Sequence, residues 1–94
     1  MDVSVLVPLF NEAESLPSLH AWIVRVMKEH ALSYEIVFVN DGSNDDSWQV
    51  IQSLREQDEH VKGICFRRNY GKSAALHCGF QMVKGDVVIT METD

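Results

Sequence analysis

Two hydrophobic periods alternate along this chain from end to end, and the alternation leaves few architectures open. Val3 to Leu9 is a short, mostly β-branched apolar run, broken at Pro8 and followed by the polar Asn11 and Glu12. Such a run predicts a buried strand entering a loop. From Ala13 the spacing changes: Leu16, Leu19, Ile23, Val26, Met27 and His30 recur at intervals of three and four, as on a helix with one packed face. Pro17 falls in its first turns, where a missing amide hydrogen costs least. Tyr34 to Val39 predicts a second strand, stopping at Asn40-Asp41-Gly42-Ser43, whose short polar side chains bond local backbone. Asp45 or Asp46 then caps a second helix with Trp48, Ile51 and Leu54 on its apolar face. A third strand is predicted over Val61 to Phe66, a third helix over Ser73 to Val83 and a fourth strand over Asp86 to Met91. Ala75, Leu76, Gly79, Phe80 and Val83 share one face of the third helix. A mid-helix glycine costs roughly 1 kcal/mol relative to alanine, so Gly79 predicts a close neighbour.

The order β-α-β-α-β-α-β with short connections makes the strands parallel and puts helices on both faces of one sheet, an α/β domain over residues 1–94. Ligands of such sheets bind beyond the carboxyl ends of the strands. That rule selects PLFNE, NDGSND, RRNYGKS and METD as the segments in which to look for chemistry.

The net charge of −6 argues against nucleic acid as a partner, because neutralising phosphates takes clustered Lys and Arg. Arg67, Arg68 and Lys72 form a local basic cluster that suits one anionic ligand. Cys65 and Cys78 lack paired metal-ligand spacing, and two small buried thiols in a reducing cytoplasm are expected rather than a disulfide. No stretch is long and apolar enough for a membrane span, and the first residues lack the pattern of a signal peptide.

Each loop has a plain reading and a chemical one. Asp41, at a strand end beside Gly42, suits either a turn and helix cap or an acceptor for the N–H edge of uracil or guanine. Glu12 lies where a carboxylate complements a helix dipole, or where Asn11 or Glu12 meets a ribose or base flanked by Pro8 and Leu9. RRNYGKS brings cations and a glycine to a helix start, fit for an anion, for anchoring the loop or for a solvated basic face. A P-loop is disfavoured because Phe66 stands where its first glycine belongs. Glu92 and Asp94, two residues apart, offer oxygens to a hard cation such as Mg²⁺ or Mn²⁺, with diphosphate oxygens and water completing its shell, or else are solvated acids.

Taken in order and spacing, VSVLVPLFNEAESL, YEIVFVNDGSNDDSW, RRNYGKSAALHCGF and GDVVITMETD resemble the N-terminal half of the inverting family 2 glycosyltransferases with the GT-A fold. RRNYGKSAAL is similar to the polyprenyl-phosphate sugar transferases, the group that contains dolichol-phosphate mannose synthase. The resemblance implies a Rossmann-like three-layer α/β/α half-domain with strand order 3-2-1-4. It implies nucleoside contacts from Pro8, Leu9, Asn11 and Glu12, a base held by Asp41 beside Gly42, and Lys72 near the nucleotide. It further implies a Mg²⁺ or Mn²⁺ ion on Asp94 and Glu92, where the first position of the usual D-x-D motif has become Glu. The donor would be a UDP- or GDP-linked sugar and the acceptor a lipid phosphate, at the cytoplasmic face of a membrane.

In this family the catalytic base and acceptor-binding half follow the acidic motif. The sequence therefore corresponds to the nucleotide-binding half of a longer enzyme, with no turnover expected from this stretch alone and a metal position expected to be mobile or empty. The alternative is a stand-alone, non-catalytic nucleotide or nucleotide-sugar binding module. In either case the order 3-2-1-4 would leave the fourth strand as an apolar edge, which predicts self-association there.

Overall fold

The computed structural model describes residues 1–93. The strands are β1 (Val3–Leu9), β2 (Tyr34–Asn40), β3 (Val61–Cys65) and β4 (Val87–Thr90), and the helices α1 (Leu16–Glu29), α2 (Ser47–Gln57) and α3 (Lys72–Phe80). The strands form one parallel sheet in the order β3-β2-β1-β4. β1 and β2 run in register from Val3 beside Tyr34 to Leu9 beside Asn40, and every residue of both is buried. That explains why they read as continuous apolar runs: a central parallel strand has helices over both faces, so neither face needs polar residues.

Alternate residues feed two cores. Val5, Val7, Ile36 and Phe38 pack with Leu16, Ile23 and Met27 of α1 and Ile51 and Leu54 of α2. Leu6, Val37 and Val39 point the other way, beneath Ala75 of α3. Gly79 is where α3 meets the sheet most closely: a Cβ there would lie 2.3 Å from Leu6 Cδ1. The predicted close packing is present, and the helix tolerates the glycine because any side chain would push it off Leu6.

Helix ends account for the places where the predicted faces differ. His30 is the C-cap of α1 and exposed, not part of the packed face. The chain turns away there through Ala31 at φ 52°, with Leu32 N–H bonded to Met27 O at 3.0 Å and Ala31 N–H to Lys28 O at 3.2 Å. This is a Schellman ending, and it relieves the carbonyls of the last turn. Phe80 is 50% exposed. It closes α3 about 140° around the axis from Ala75, outside the narrow stripe that a glycine contact allows. Asp46 holds the N-cap position of α2 but makes no side-chain cap bond; Asp45 Oδ1 accepts from Ser47 N at 2.9 Å instead. The cysteines are free, as expected, but not buried: Cys65 ends the edge strand β3 and is exposed, and Cys78 is half-buried on α3.

At the amino end of the sheet, opposite the four loops that follow the strands, a buried acid ties four segments together. Glu35 is 1% exposed. It accepts from Ser4 Oγ at 2.5 Å, Lys62 Nζ at 2.6 Å and Lys84 N at 2.6 Å. Burial pushes its carboxyl up, but these donors and the Lys62 charge together hold it below the ordinary value. Asp58 does similar work between α1 and the turn before β3, accepting from His20 Nε2 at 2.8 Å and His60 Nδ1 at 2.7 Å. Burial raises its pKa as well, and the His60 backbone and both imidazoles outweigh that.

Candidate functional site

The direction of winding reverses between β1 and β4, the place where an open α/β sheet leaves a crevice. A cleft of about 330 Å³ lies there, walled by Pro8 and Leu9 at the end of β1, by Phe10 after it and by Glu92 and Thr93 after β4. Asp41 after β2, Asn69 and Gly71 ahead of α3 and Lys72 at its start complete the lining, with Glu12 at the start of the α1 approach. All four loops selected from the sequence therefore contribute to one concavity.

Asp41 is the keystone of this arrangement. It is 4% exposed. Its carboxylate accepts from Tyr70 N at 2.8 Å, Gly71 N at 3.0 Å and Asn69 Nδ2 at 3.2 Å, and Asn69 Nδ2 also reaches its carbonyl at 3.1 Å. Gly42 makes the contact possible: at φ 72° it lies so near the neighbouring loop that a Cβ would be 2.1 Å from the Arg68 carbonyl carbon. Gly71, at φ 99°, turns the chain into α3 with nothing within 4 Å of where a Cβ would point. Left-handed backbone of this kind favours glycine at both positions.

The basic cluster divides. Arg68 stacks over the Tyr70 ring at 4.9 Å, and Tyr70 meets Phe66 edge-on at 5.6 Å, so this part of the loop packs on itself. Lys72 is the cation that lines the cleft among the described residues, and its ammonium donates to Glu92 Oε1. Asp94, expected with Glu92 as a metal ligand, lies outside the described residues.

Asn11 sits apart from the main cleft and works as a clip. At φ 54°, it donates its N–H to Ser43 Oγ at 2.9 Å and accepts from Asn44 N at 2.7 Å, tying the first loop to the second. Glu12 has both characters: it lines the cleft, its N–H donates to Ser47 Oγ at 3.0 Å and its carboxylate accepts from Ser15 Oγ at 2.7 Å. Gly71 is the glycine read from the sequence at this helix start, whereas Phe10, Asn69 and Thr93 are cleft residues that the sequence analysis did not single out. Phe10 carried a signal, an aromatic side chain placed after a strand within a polar loop.

Among the described residues no three His, Cys, Asp or Glu side chains gather to hold a metal ion. Glu92 supplies one carboxylate at the β4 side of the cleft. That fits the manner in which Mg²⁺ is held by one or two carboxylates plus substrate phosphates, and not an all-protein cage.

The sequence profile described as Glycosyl transferase family 2 matches residues 4–94. The chain belongs to this family. Among the curated relatives, an undecaprenyl-phosphate 4-deoxy-4-formamido-L-arabinose transferase of Pseudomonas fluorescens (strain SBW25) is 42% identical over 93 residues, 98% of this chain and 27% of the relative. The fold matches S. aureus TarS 1–349 in complex with UDP, with a TM-score of 0.82 at 22% identity, over 100% of this chain and 28% of that one. It also matches the mannosyltransferase PcManGT from Pyrobaculum calidifontis, solved with GDP-Man and Mn²⁺, with a TM-score of 0.77 at 23% identity, over 98% and 27% respectively. This family 2 chain thus spans between a quarter and a third of the length of the relatives it matches. The three-layer GT-A architecture and the order 3-2-1-4 implied by the sequence resemblance are present.

Proposed function

We propose that this chain is the nucleotide-sugar-binding part of a transferase that moves a sugar from a nucleoside diphosphate to a polyprenyl phosphate, with inversion at the anomeric carbon. One observation carries the reading: the loops after all four parallel strands meet in a single cleft that holds an apolar wall, a buried carboxylate, a lysine and a further acid. The acceptor class is supported by the undecaprenyl-phosphate transferase at 42% identity, and the donor class by relatives of the same fold solved with UDP and with GDP-Man. A lipid phosphate acceptor places the reaction at a membrane surface. No helix among the described residues is long and apolar enough to cross a membrane.

In this reading Pro8, Leu9 and Phe10 flank the base, and Glu12 faces the ribose. Asp41 has three of its roughly four acceptor positions engaged by Asn69, Tyr70 and Gly71. It therefore offers at most one to the base and does most of its work by holding the loop that carries Lys72. Lys72 serves the diphosphate, and Glu92, with Asp94, holds a divalent ion against it. When bound, Mg²⁺ or Mn²⁺ supplies positive charge that stabilises the departing nucleoside diphosphate.

Titration of the chain with UDP and with GDP, each with Mg²⁺, tests the reading by NMR shifts of the cleft amides. Binding by one nucleotide, with the largest shifts at Phe10, Gly71 and Thr93, is the expected result. Failure of both nucleotides to shift any cleft amide would overturn it. Binding that persists without any transfer activity in a protein extended to the length of the relatives would favour the non-catalytic binding module.

The same reading covers self-association. β4 pairs with β1 on one side, and its apolar residues stand out, Val87 at 56% and Ile89 at 39% exposed. An apolar strand edge is a template for another strand. The 94-residue chain is expected to form dimers or larger species by light scattering, and Ile89→Lys to reduce them. A monomer at high concentration counts against this.

A further inference from the structure

Lys72 opens α3 and Glu92 follows β4, so their contact bridges two elements at the mouth of the cleft. Both side chains remain wet, 55% and 59% exposed. A pair this exposed is worth little and exchanges partners readily. It nevertheless occupies a telling place, because Glu92 is the carboxylate on the β4 side of the cleft, and a lysine ammonium already lies on it.

We propose that Lys72 is the resting counter-ion of Glu92 and sets the order of loading, so that a divalent cation gains Glu92 only when a diphosphate draws the ammonium away. The inference rests on the nucleotide-diphosphate reading above. Two physical requirements produce the coupling. The ammonium and a divalent ion cannot share one carboxylate closely without repelling each other. A cation held by one or two side-chain carboxylates also needs phosphate oxygens to complete its shell. A diphosphate meets both needs in one event, giving Lys72 a stronger anionic partner and giving the cation its remaining oxygens. Without it, the lysine keeps Glu92 neutralised and keeps stray cations out of the cleft.

The test uses Mn²⁺ alone, with free ion measured by electron paramagnetic resonance, on the 94-residue chain and its Lys72→Met and Lys72→Arg variants. Circular dichroism confirms folding, which an exposed first-turn lysine should not control. Lys72→Met is expected to bind Mn²⁺ about threefold tighter than the parent, the range an exposed ion pair commands. Lys72→Arg, which keeps the charge, should resemble the parent. Addition of UDP or GDP should then tighten Mn²⁺ more in the parent than in Lys72→Met, where nothing remains to be drawn away. No gain in Mn²⁺ affinity for Lys72→Met, including no binding by either form, overturns the proposal. If that gain is seen but neither nucleotide binds, the nucleotide reading falls while Lys72 stands as the counter-ion. If nucleotides bind and the gain is absent, the converse holds.

Discussion

Asp41→Ala is expected to lower nucleotide affinity more than tenfold and, in the same stroke, to release the loop from Arg67 to Gly71. Two backbone N–H groups and the Asn69 amide converge on this carboxylate, which is 4% exposed. Hydrogen bonds to a charged group contribute about 1.5–3 kcal/mol each when buried, and water partly replaces those to an exposed loop, so a loss of about 2 kcal/mol in stability is expected. Asp41→Asn should do almost as much harm, because its NH₂ would face a backbone N–H donor. The deciding measurement is amide hydrogen exchange at Tyr70 and Gly71, compared with nucleotide affinity in the same variants. Faster exchange together with lost affinity is the expected pair. Lost affinity with exchange unchanged would make Asp41 a direct ligand of the base and remove its role in positioning the loop.

Lys62→Met is the second change with a large expected effect. It leaves Glu35 buried with its carboxylate short of a positive charge. Breaking a buried pair by removing one partner costs about 3–5 kcal/mol, but the Lys62 side chain is 39% exposed, so about 2 kcal/mol is the expectation here. For a chain of this size that corresponds to a fall in Tm of roughly 8–16 °C. The pH dependence follows from the direction of the shift. Glu35 in the folded chain titrates below its ordinary value of 4.5, so the unfolded chain binds its proton first. Its stabilising contribution is therefore complete above that value and is lost as pH falls through the lower folded value. Asp58, also held below its ordinary 3.8, adds to the loss in the same direction. Denaturant unfolding at pH 7 and near pH 3 should show the gap between parent and Lys62→Met shrinking in acid, as Glu35 takes up a proton. Equal stability of the two at pH 7 would show that Ser4 Oγ and Lys84 N satisfy Glu35 without the lysine.

The architecture was legible because helix and strand periods are local. Leu16, Ile23 and Met27 could be assigned to one helix face from spacing alone, and Val3 to Leu9 to a strand buried on both sides. Gly79 was legible for a different reason: a residue that costs helix stability implies compensation, and Leu6 is the neighbour that requires it. The errors fall at ends. His30 and Phe80 keep the helical spacing, yet the chain has turned or run out at those points. Cys65 reads as buried until β3 is seen to be an edge strand.

The candidate site was legible in its membership and obscure in its wiring. Pro8, Leu9, Glu12, Asp41, Lys72 and Glu92 do meet in one cleft. Asn11 was selected with them, yet it serves as a clip between loops, and Gly42 serves as the point where two loops touch. No spacing rule could have shown that Asp41 spends its oxygens on residues 69 to 71 or that Glu35 spends its own on Ser4, Lys62 and Lys84.

The sequence by itself determined the order of elements, the parallel sheet and the end of that sheet where the cleft lies. Those follow from hydrophobic period and connection length, which act between near neighbours in the chain. Only the tertiary structure decided which polar group satisfies which. Side-chain partnerships such as Asp41 with the loop before α3, or Lys72 with Glu92, join residues 20 to 30 positions apart in the chain. They exist only because four strands place four loops within hydrogen-bonding distance of one another.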